Sequence, residues 1–386
     1  MMLSAVPEAS LANWRDYPHS IWGFTHVDRL IPVAPIRAAG NSSPLPAGAS
    51  LDLGAVQVDW NGMRLTARET LLETFTDAFL VLKDGAVAAE YLGAQQADDR
   101  HIVFSVSKSI TAALAGVLVE KGQLDLAAAV TDYVAEAAGS AYGDCTVRDV
   151  LDMTVSIRFT EDYLDPRGDV ARYRAAMGWN PPSSEAAEEG IHSFIARLPR
   201  ADHPHGHRFH YVSPNSDMLG WILERAGGAP VAELLSRHIW QPLGLAQDGY
   251  ITVDGRGAAR TAGGICMSIG DLARFGEMMR GQGTFYGRRI IPSGWVDDIL
   301  NGGDPQAWSR GEMAALFPQG RYRAKWYVPE PSGNVLCAIG IHGQWIYIDR
   351  AAGMVAVKQS SQPVPADDAM DRQTLAMFRA LARELR

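Results

Sequence analysis

Ser105 and Lys108 stand three residues apart in "HIVFSVSKSITAALAGVLVEKGQLDL", at the head of an apolar run. On a helix, positions i and i+3 share a face. A serine in the first turn presents its Oγ together with its own backbone N–H, one of the unpaired donors of a helix start. That N–H, backed by the helix dipole, suits a developing oxyanion. Lys108 falls one turn deeper, among Phe104, Val106 and Ile110. Burial and the positive end of the helix both disfavour an ammonium there and lower its pKa. A neutral amine within hydrogen-bond reach of a serine can take its proton. Of the five lysines in the chain, only Lys108 has a serine three residues before it. Serine is also a common helix N-cap, and the pair taken alone fits that role equally well.

Two further segments carry chemistry. In "RFHYVSPNSDMLGWILERAGG", Tyr211 sits two residues before Ser213 and just ahead of a helical pattern. A tyrosine there can relay a proton between a nucleophile and a leaving group, or simply pack on the helix. In "CAIGIHGQWIYID", Gly340 and Gly343 interrupt a strand pattern. Glycines in a strand mark close approach of a ligand to the backbone, or a tight turn at His342-Gly343-Gln344. A strand edge at this point could supply a second oxyanion N–H.

The elements that must hold these residues follow from periodicity. "FTDAFLVLKDGAVAAEYLG" reads as a hairpin with arms Ala78–Leu82 and Val87–Leu92, turning at Lys83-Asp84-Gly85. "SVSKSITAALAGVLVEKGQL" has Ile110, Leu114, Val117 and Leu118 at helical spacing, with Gly122 at its end. Residues 1–66 read as an irregular leader. The stretch from about 125 to 260 is mostly helical with long loops, one of which, "EDYLDPRGDVARYRAAMGWNPPSSEAAEEG", has the polar, proline-containing character of a lid. Strand signal returns in "NVLCAIGIHGQWIYID" and "MVAVKQSS", and "DDAMDRQTLAMFRALARELR" closes the chain as a helix. Strands flanking a helical middle predict an α/β domain made of 1–125 and 261–386, with 126–260 as an inserted, mostly helical domain.

Composition excludes several classes. The 386 residues are 47% hydrophobic and 20% charged, as expected for a globular chain, with a net charge of −9 and no basic run. Nucleic acid is therefore not an expected partner. Cys145, Cys266 and Cys337 are widely spaced and form no CxxC pair, so neither a disulfide framework nor a zinc site is expected, and no cofactor or metal is. The first twenty residues have neither a basic nor an apolar leader region, and no stretch is apolar enough to span a membrane. The expectation is a cytoplasmic protein with a small-molecule substrate and no membrane partner. There is no GxSxG elbow, HExxH or Walker A loop.

Ser105-Val106-Ser107-Lys108, Tyr211-Val212-Ser213 and the strand from Ala338 to Gly343 occur in the order found in serine hydrolases of β-lactamase-type fold. With "VLDMTVSIRFTEDYLDP", "GGICMSIGDLARFGEMM" and "IGIHGQWIYIDRAAGMVAVKQSSQP", the chain from about 75 to 363 resembles the 6-aminohexanoate-dimer hydrolases, enzymes that degrade nylon oligomers and are akin to class C β-lactamases and to carboxylesterases of the same fold. The resemblance implies an α+β, β-lactamase/transpeptidase-like fold: an antiparallel sheet flanked by helices, plus an inserted all-α domain. It implies that Ser105 attacks, that Lys108 is the base and that Tyr211 assists the leaving group. The oxyanion hole would comprise the N–H groups of Ser105 and Ile341, with Gly343 or Gln344 as the alternative to Ile341. Tyr163 matches the tyrosine of a mobile loop that helps amide cleavage, and Trp179, Trp326, His342, Gly343 and Ser213 are expected to line the substrate pocket. A homodimer is the oligomer the resemblance suggests.

The chain departs from true β-lactamases in lacking a lysine in the third motif and in ending the second with Ser213. For the ammonium of an aminohexanoate dimer, Asp165 and Asp169 are the candidate partners, although Arg167, Arg172 and Arg174 share their loop. The reading is a serine hydrolase of short linear amides or esters that forms an acyl-serine. The alternatives are a carboxylesterase without useful amidase activity, a D-amino-acid peptidase or weak β-lactamase, and a non-catalytic ligand-binding module.

Overall fold

The apolar run around residue 80 becomes an interior strand of a sheet. The computed structural model describes residues 7–40, 42, 44–182 and 186–386. The first six residues of the stretch read as lacking a leader, and 183–185 of the lid-like segment, lie outside the described residues. Strands β1 (Thr76–Lys83) and β2 (Ala86–Leu92) form the expected hairpin, turning through Asp84 and Gly85 at positive φ. Helices α1 (Val106–Glu120), α2 (Asp169–Ala176), α3 (Pro214–Gly227) and α4 (Ile269–Arg280) follow. Strands β3 (Arg321–Arg323), β4 (Trp326–Val328), β5 (Val335–Gly340), β6 (Gln344–Asp349) and β7 (Met354–Ser360) then lead to α5 (Asp368–Glu384). The seven strands make one antiparallel sheet in the order β3-β4-β5-β6-β7-β1-β2, so the C-terminal strands do share a sheet with the first hairpin.

Both faces of this sheet are covered, which is why Ala78–Leu82 of β1 and Met354–Val357 of β7 read as continuous apolar runs. Successive side chains of a strand point to opposite faces. Ala78, Leu80 and Leu82 pack into the same core as Leu272, Phe275 and Met279 of α4. Phe79 and Val81 pack into the other, with Phe378 and Leu381 of α5. Each large side chain buried this way contributes about 1.5–3 kcal/mol. The antiparallel sheet between helices, with further helices between β2 and β3, is the β-lactamase/transpeptidase-like α+β arrangement.

The leader is not irregular throughout, which corrects the expectation for residues 1–66. Gln57–Trp60 and Met63–Thr66 form a hairpin whose turn is Asn61-Gly62, both at positive φ, as two-residue hairpins require. Val33–Ile36 becomes a strand by pairing with Gly249–Thr252, a partner more than 200 residues away, which no local pattern announces. Gly249–Thr252 pairs in turn with Ile265–Met267, and that strand with His101–Ile102. This small sheet fixes the chain immediately before Ser105.

Candidate active site

Helix α1 begins at a sharp bend. Phe104 has φ of 41°, a left-handed conformation that is strained for a bulky residue, and Ser105 follows as the N-cap. Every residue from Val106 to Leu118 is buried, so the helix is held on all sides. Lys108 is 1% exposed. Its Nζ lies 2.6 Å from Ser105 Oγ and donates to the Ala262 carbonyl at 2.8 Å. Burial, opposed by Glu161 and assisted by Arg260, lowers its pKa from the usual 10.5 to about 7. An amine near neutrality, in contact with a serine hydroxyl, is an acceptor for its proton.

The acceptor that orients Lys108 is itself fixed from α3. Asp217 Oδ1 accepts from the Ala262 N–H at 2.7 Å and from Thr261 Oγ1 at 3.2 Å, while Oδ2 is held by Arg260 and the Tyr173 hydroxyl. Asp217 thus shapes the 260–262 turn whose carbonyl aims the lysine. Pro214 at the start of α3 places Ser213 at its N-cap and Tyr211 just ahead. The Tyr211 ring lies 5.0 Å from Lys108 Nζ, and its hydroxyl faces the side chains of Ser105 and Tyr327. Burial raises the Tyr211 pKa, so the phenol stays protonated.

The end of β5 closes the opposite side. A Cβ on Gly340 would sit 2.8 Å from the Val103 carbonyl oxygen and 3.1 Å from the Ser105 nitrogen, so only glycine permits this approach. Ile341 comes next and lines the same space as Ser105. Among the described residues, neither the Ser105 nor the Ile341 amide donates a hydrogen bond. Ser105 and Ile341 thus border the same two spaces with unspent amides, and the Lys108 amine lies on the Ser105 hydroxyl.

A cleft of about 560 Å³ opens onto Ser105, with Tyr211, Tyr327, Met313, Ile339 and Tyr163 on its walls. A second, narrow crevice of about 20 Å³ meets Ser105 from the other side, past Tyr163 and Ile341. Tyr163 stands between them, its hydroxyl donating to Glu161 Oε1 at 2.8 Å. Ser213 lines the crevice, with its N–H 2.9 Å from Glu161 Oε2 and its Oγ also on that carboxylate. Trp179 borders it and is tied back by its Nε1 to Thr252 Oγ1 at 3.2 Å.

Three expected pocket residues lie elsewhere. Trp326 is fully buried and stacked on Phe275, on the face of β4 turned to α4. Its neighbour Tyr327, one residue on and therefore on the other face, is the one that reaches the cleft. His342 is buried against Phe24 and Phe104, its Nδ1 2.7 Å from the Gln362 carbonyl, and burial pulls its pKa to about 3, so it is a neutral donor to that carbonyl. Gly343 forms the β5–β6 turn at φ 82°, where a Cβ would meet Gln362 at 2.6 Å. Gln344 is likewise buried, bonded to the carbonyls of His342 and Ser360. Asp165 and Asp169 serve their own loop: Asp165 accepts from Arg167 N, and Asp169 accepts from Thr160 N and pairs with Arg172. Glu161 and Tyr327 also line the cleft, and the sequence does not single them out. Glu161 stands two residues before Tyr163 in the quoted motif, and only its distance from Ser213 in the chain hid it.

Among the described residues no group of three or more His, Cys, Asp or Glu could hold a metal ion, and no helix is long and apolar enough to cross a membrane. The beta-lactamase family model matches residues 69–380. The 6-aminohexanoate-dimer hydrolase of Paenarthrobacter ureafaciens is 37% identical over 363 residues, covering 94% of this chain and 90% of that one. A solved structure from Bacillus anthracis, described as a candidate 6-aminohexanoate-dimer hydrolase, superposes with a TM-score of 0.88 over 97% of both chains at 24% identity. A family VIII carboxylesterase gives 0.58 at 15% identity, over 81% of this chain and 96% of its own, a likeness of fold. The family and the curated relative support a serine-type hydrolase of amides or esters. With the family model spanning most of its length and that relative matched nearly end to end, the chain belongs to the beta-lactamase family.

Proposed function

We propose that this chain hydrolyses short linear amides or esters through an acyl-Ser105 intermediate. The observation that carries the reading is the buried Lys108 amine, 2.6 Å from Ser105 Oγ and near neutrality at physiological pH. Ser105 Oγ attacks the substrate carbonyl as its proton passes to Lys108 Nζ. The carbonyl oxygen, becoming negative, moves onto the N–H groups of Ser105 and Ile341. Tyr211 gives its proton to the departing amine or alkoxide and is resupplied by Lys108. Water then enters by the vacated side, loses a proton along the same path and releases the acid. Tyr163, at the edge of the cleft, assists an amine leaving group, which needs a proton more than an alcohol does. The proposal includes the cytoplasm as compartment, where three buried, unpaired cysteines stay reduced, and a homodimer in solution.

The test compares initial rates on p-nitrophenyl butyrate and on the matching p-nitroanilide, for wild type and Ser105→Ala. Hydrolysis of both by the wild type and of neither by the variant is the expected result. Hydrolysis of the ester alone makes the protein a carboxylesterase on the same machinery. Undiminished activity in Ser105→Ala overturns the reading.

A further inference from the structure

The two spaces that meet at Ser105 differ in charge. Glu161, Asp162, Glu312, Asp368 and Asp371 line the wide cleft, Glu312 in contact with Arg208 and His210, and among the described residues no lysine or arginine lines it. Arg174 and Arg260 line the narrow crevice, together with Glu161, which borders both spaces. Arg260 is committed: it is 6% exposed and held by Asp217 and the Tyr173 hydroxyl. Arg174 is not. Two residues earlier on α2, Arg172 pairs with Asp169, whereas Arg174 forms no ion pair among the described residues. Its side chain donates to the Tyr163 carbonyl at 3.2 Å, and it lies 5.8 Å from the Tyr163 ring. Glu161 and, more weakly, Asp16 are close enough to be felt, but neither forms an ion pair with it, and the Glu161 oxygens are occupied by Ser213 and Tyr163. Arg15, also without an ion pair among the described residues, adds a second positive charge behind Arg174. A half-buried guanidinium with unspent donors beside a nucleophile is a carboxylate site.

The direction of the substrate follows from Tyr211. The group that protonates the leaving atom lines the wide cleft and not the crevice. The leaving group therefore lies in the acidic cleft, and the acyl chain turns toward Arg174. We propose that Arg174 binds a terminal carboxylate on the acyl part, so that the preferred substrates are amides or esters of dicarboxylic acids with a neutral or cationic leaving group. This rests on the acyl-serine reading above and narrows it. The crevice has room for little more than one water, which suits a carboxylate head with its chain lying along Tyr163. The linear 6-aminohexanoate dimer has the opposite polarity, an ammonium on its acyl half and a carboxylate on its leaving half, and would be a poor substrate.

The test uses p-nitrophenyl esters of three six-carbon acids: hexanoate, adipate with its second carboxylate free, and 6-aminohexanoate. In each protein the readout is the ratio of kcat/KM for a charged ester to that for hexanoate, which cancels any general loss of activity. A charge-assisted hydrogen bond to Arg174 should make wild type favour adipate by about 10- to 100-fold. Arg174→Gln should bring the ratio near one, and Arg174→Glu should favour the aminohexanoyl ester. Free adipate should compete with the hexanoyl ester in wild type better than free hexanoate does, a measurement that needs no variant. Ratios unaffected by Arg174→Gln, or a wild-type preference for the aminohexanoyl ester, overturn the assignment while leaving Ser105-dependent hydrolysis intact. Failure of wild type to turn over any of the three overturns the hydrolase reading and this one with it.

Discussion

Replacing Lys108 by methionine should stabilise the protein and abolish its activity. The fall of the lysine pKa from 10.5 to about 7 corresponds to about 5 kcal/mol, at ~1.4 kcal/mol per pH unit. The sign is that of a base whose charged form the fold rejects. The unfolded chain holds the proton more tightly, so between pH 7 and 10.5 stability rises with pH, and the full penalty stands below about pH 7. Methionine fills a similar volume without the penalty, but it gives up the contacts to Ser105 and the Ala262 carbonyl, at about 1 kcal/mol each or somewhat more. A net gain of roughly 2 kcal/mol remains at pH 6. The pH difference is a sharper quantity, because the lost hydrogen bonds cancel from it. The advantage of Lys108→Met over wild type in urea unfolding should shrink by about 3 kcal/mol between pH 6 and pH 9. In parallel, wild-type kcat/KM on p-nitrophenyl butyrate should fall about tenfold per pH unit below pH 7, since only the neutral amine takes the serine proton. Asp371, raised to about 7 by burial, and Lys358, lowered to about 7 by burial, titrate in the same range, and His210 lines the cleft. The acid limb must therefore survive Asp371→Asn, Lys358→Met and His210→Gln. Its disappearance in any of these, or an advantage of Lys108→Met that does not vary with pH, would refute the assignment of the base.

Two further outcomes separate the residues that meet substrate from those that only hold the fold. Tyr163→Phe should lower p-nitroanilide hydrolysis about tenfold more than ester hydrolysis, because the amine depends more on the proton; equal losses would remove Tyr163 from the chemistry. Trp326→Phe should lower stability by about 1–3 kcal/mol through the cavity left beside Phe275 and leave KM for the butyrate ester where it is; a changed KM would put Trp326 back in the pocket.

What was legible in the sequence is what is local. Ser105 and Lys108 are one helical turn apart, so their meeting needs only α1, which the apolar spacing of Ile110, Leu114 and Leu118 announces. The β5–β6 hairpin and its glycines are equally local. The sequence does not separate Tyr327 from Trp326, because β4 lies in a sheet covered on both faces. Its aromatics are buried on either side, and alternation alone gives no phase. Glu161 acquires its meaning from Ser213, 52 residues on. That Arg174 forms no ion pair among the described residues is a tertiary fact of the same kind. Its loop contains several aspartates, and only the fold decides that Asp169 turns to Arg172 and Thr160 instead.

The residues that hold the two amides share a physical character. Phe104 precedes Ser105 at φ 41°, and His342 follows Ile341 at φ 61°, each a left-handed conformation costing a non-glycine residue roughly 1–2 kcal/mol. Their rings meet each other at 5.3 Å, and both pack on Phe24. The Gln362 carbonyl holds the imidazole, and the Pro365 carbonyl accepts from the His342 N–H at 2.8 Å. A glycine at either position would relieve the strain and remove the ring that bridges the two bends. The aromatic contact therefore has a use that burial of apolar area alone does not explain. It ties the bend before Ser105 to the turn after Ile341, so that on the proposed mechanism two amides more than 200 residues apart in the chain keep the fixed spacing an oxyanion hole needs.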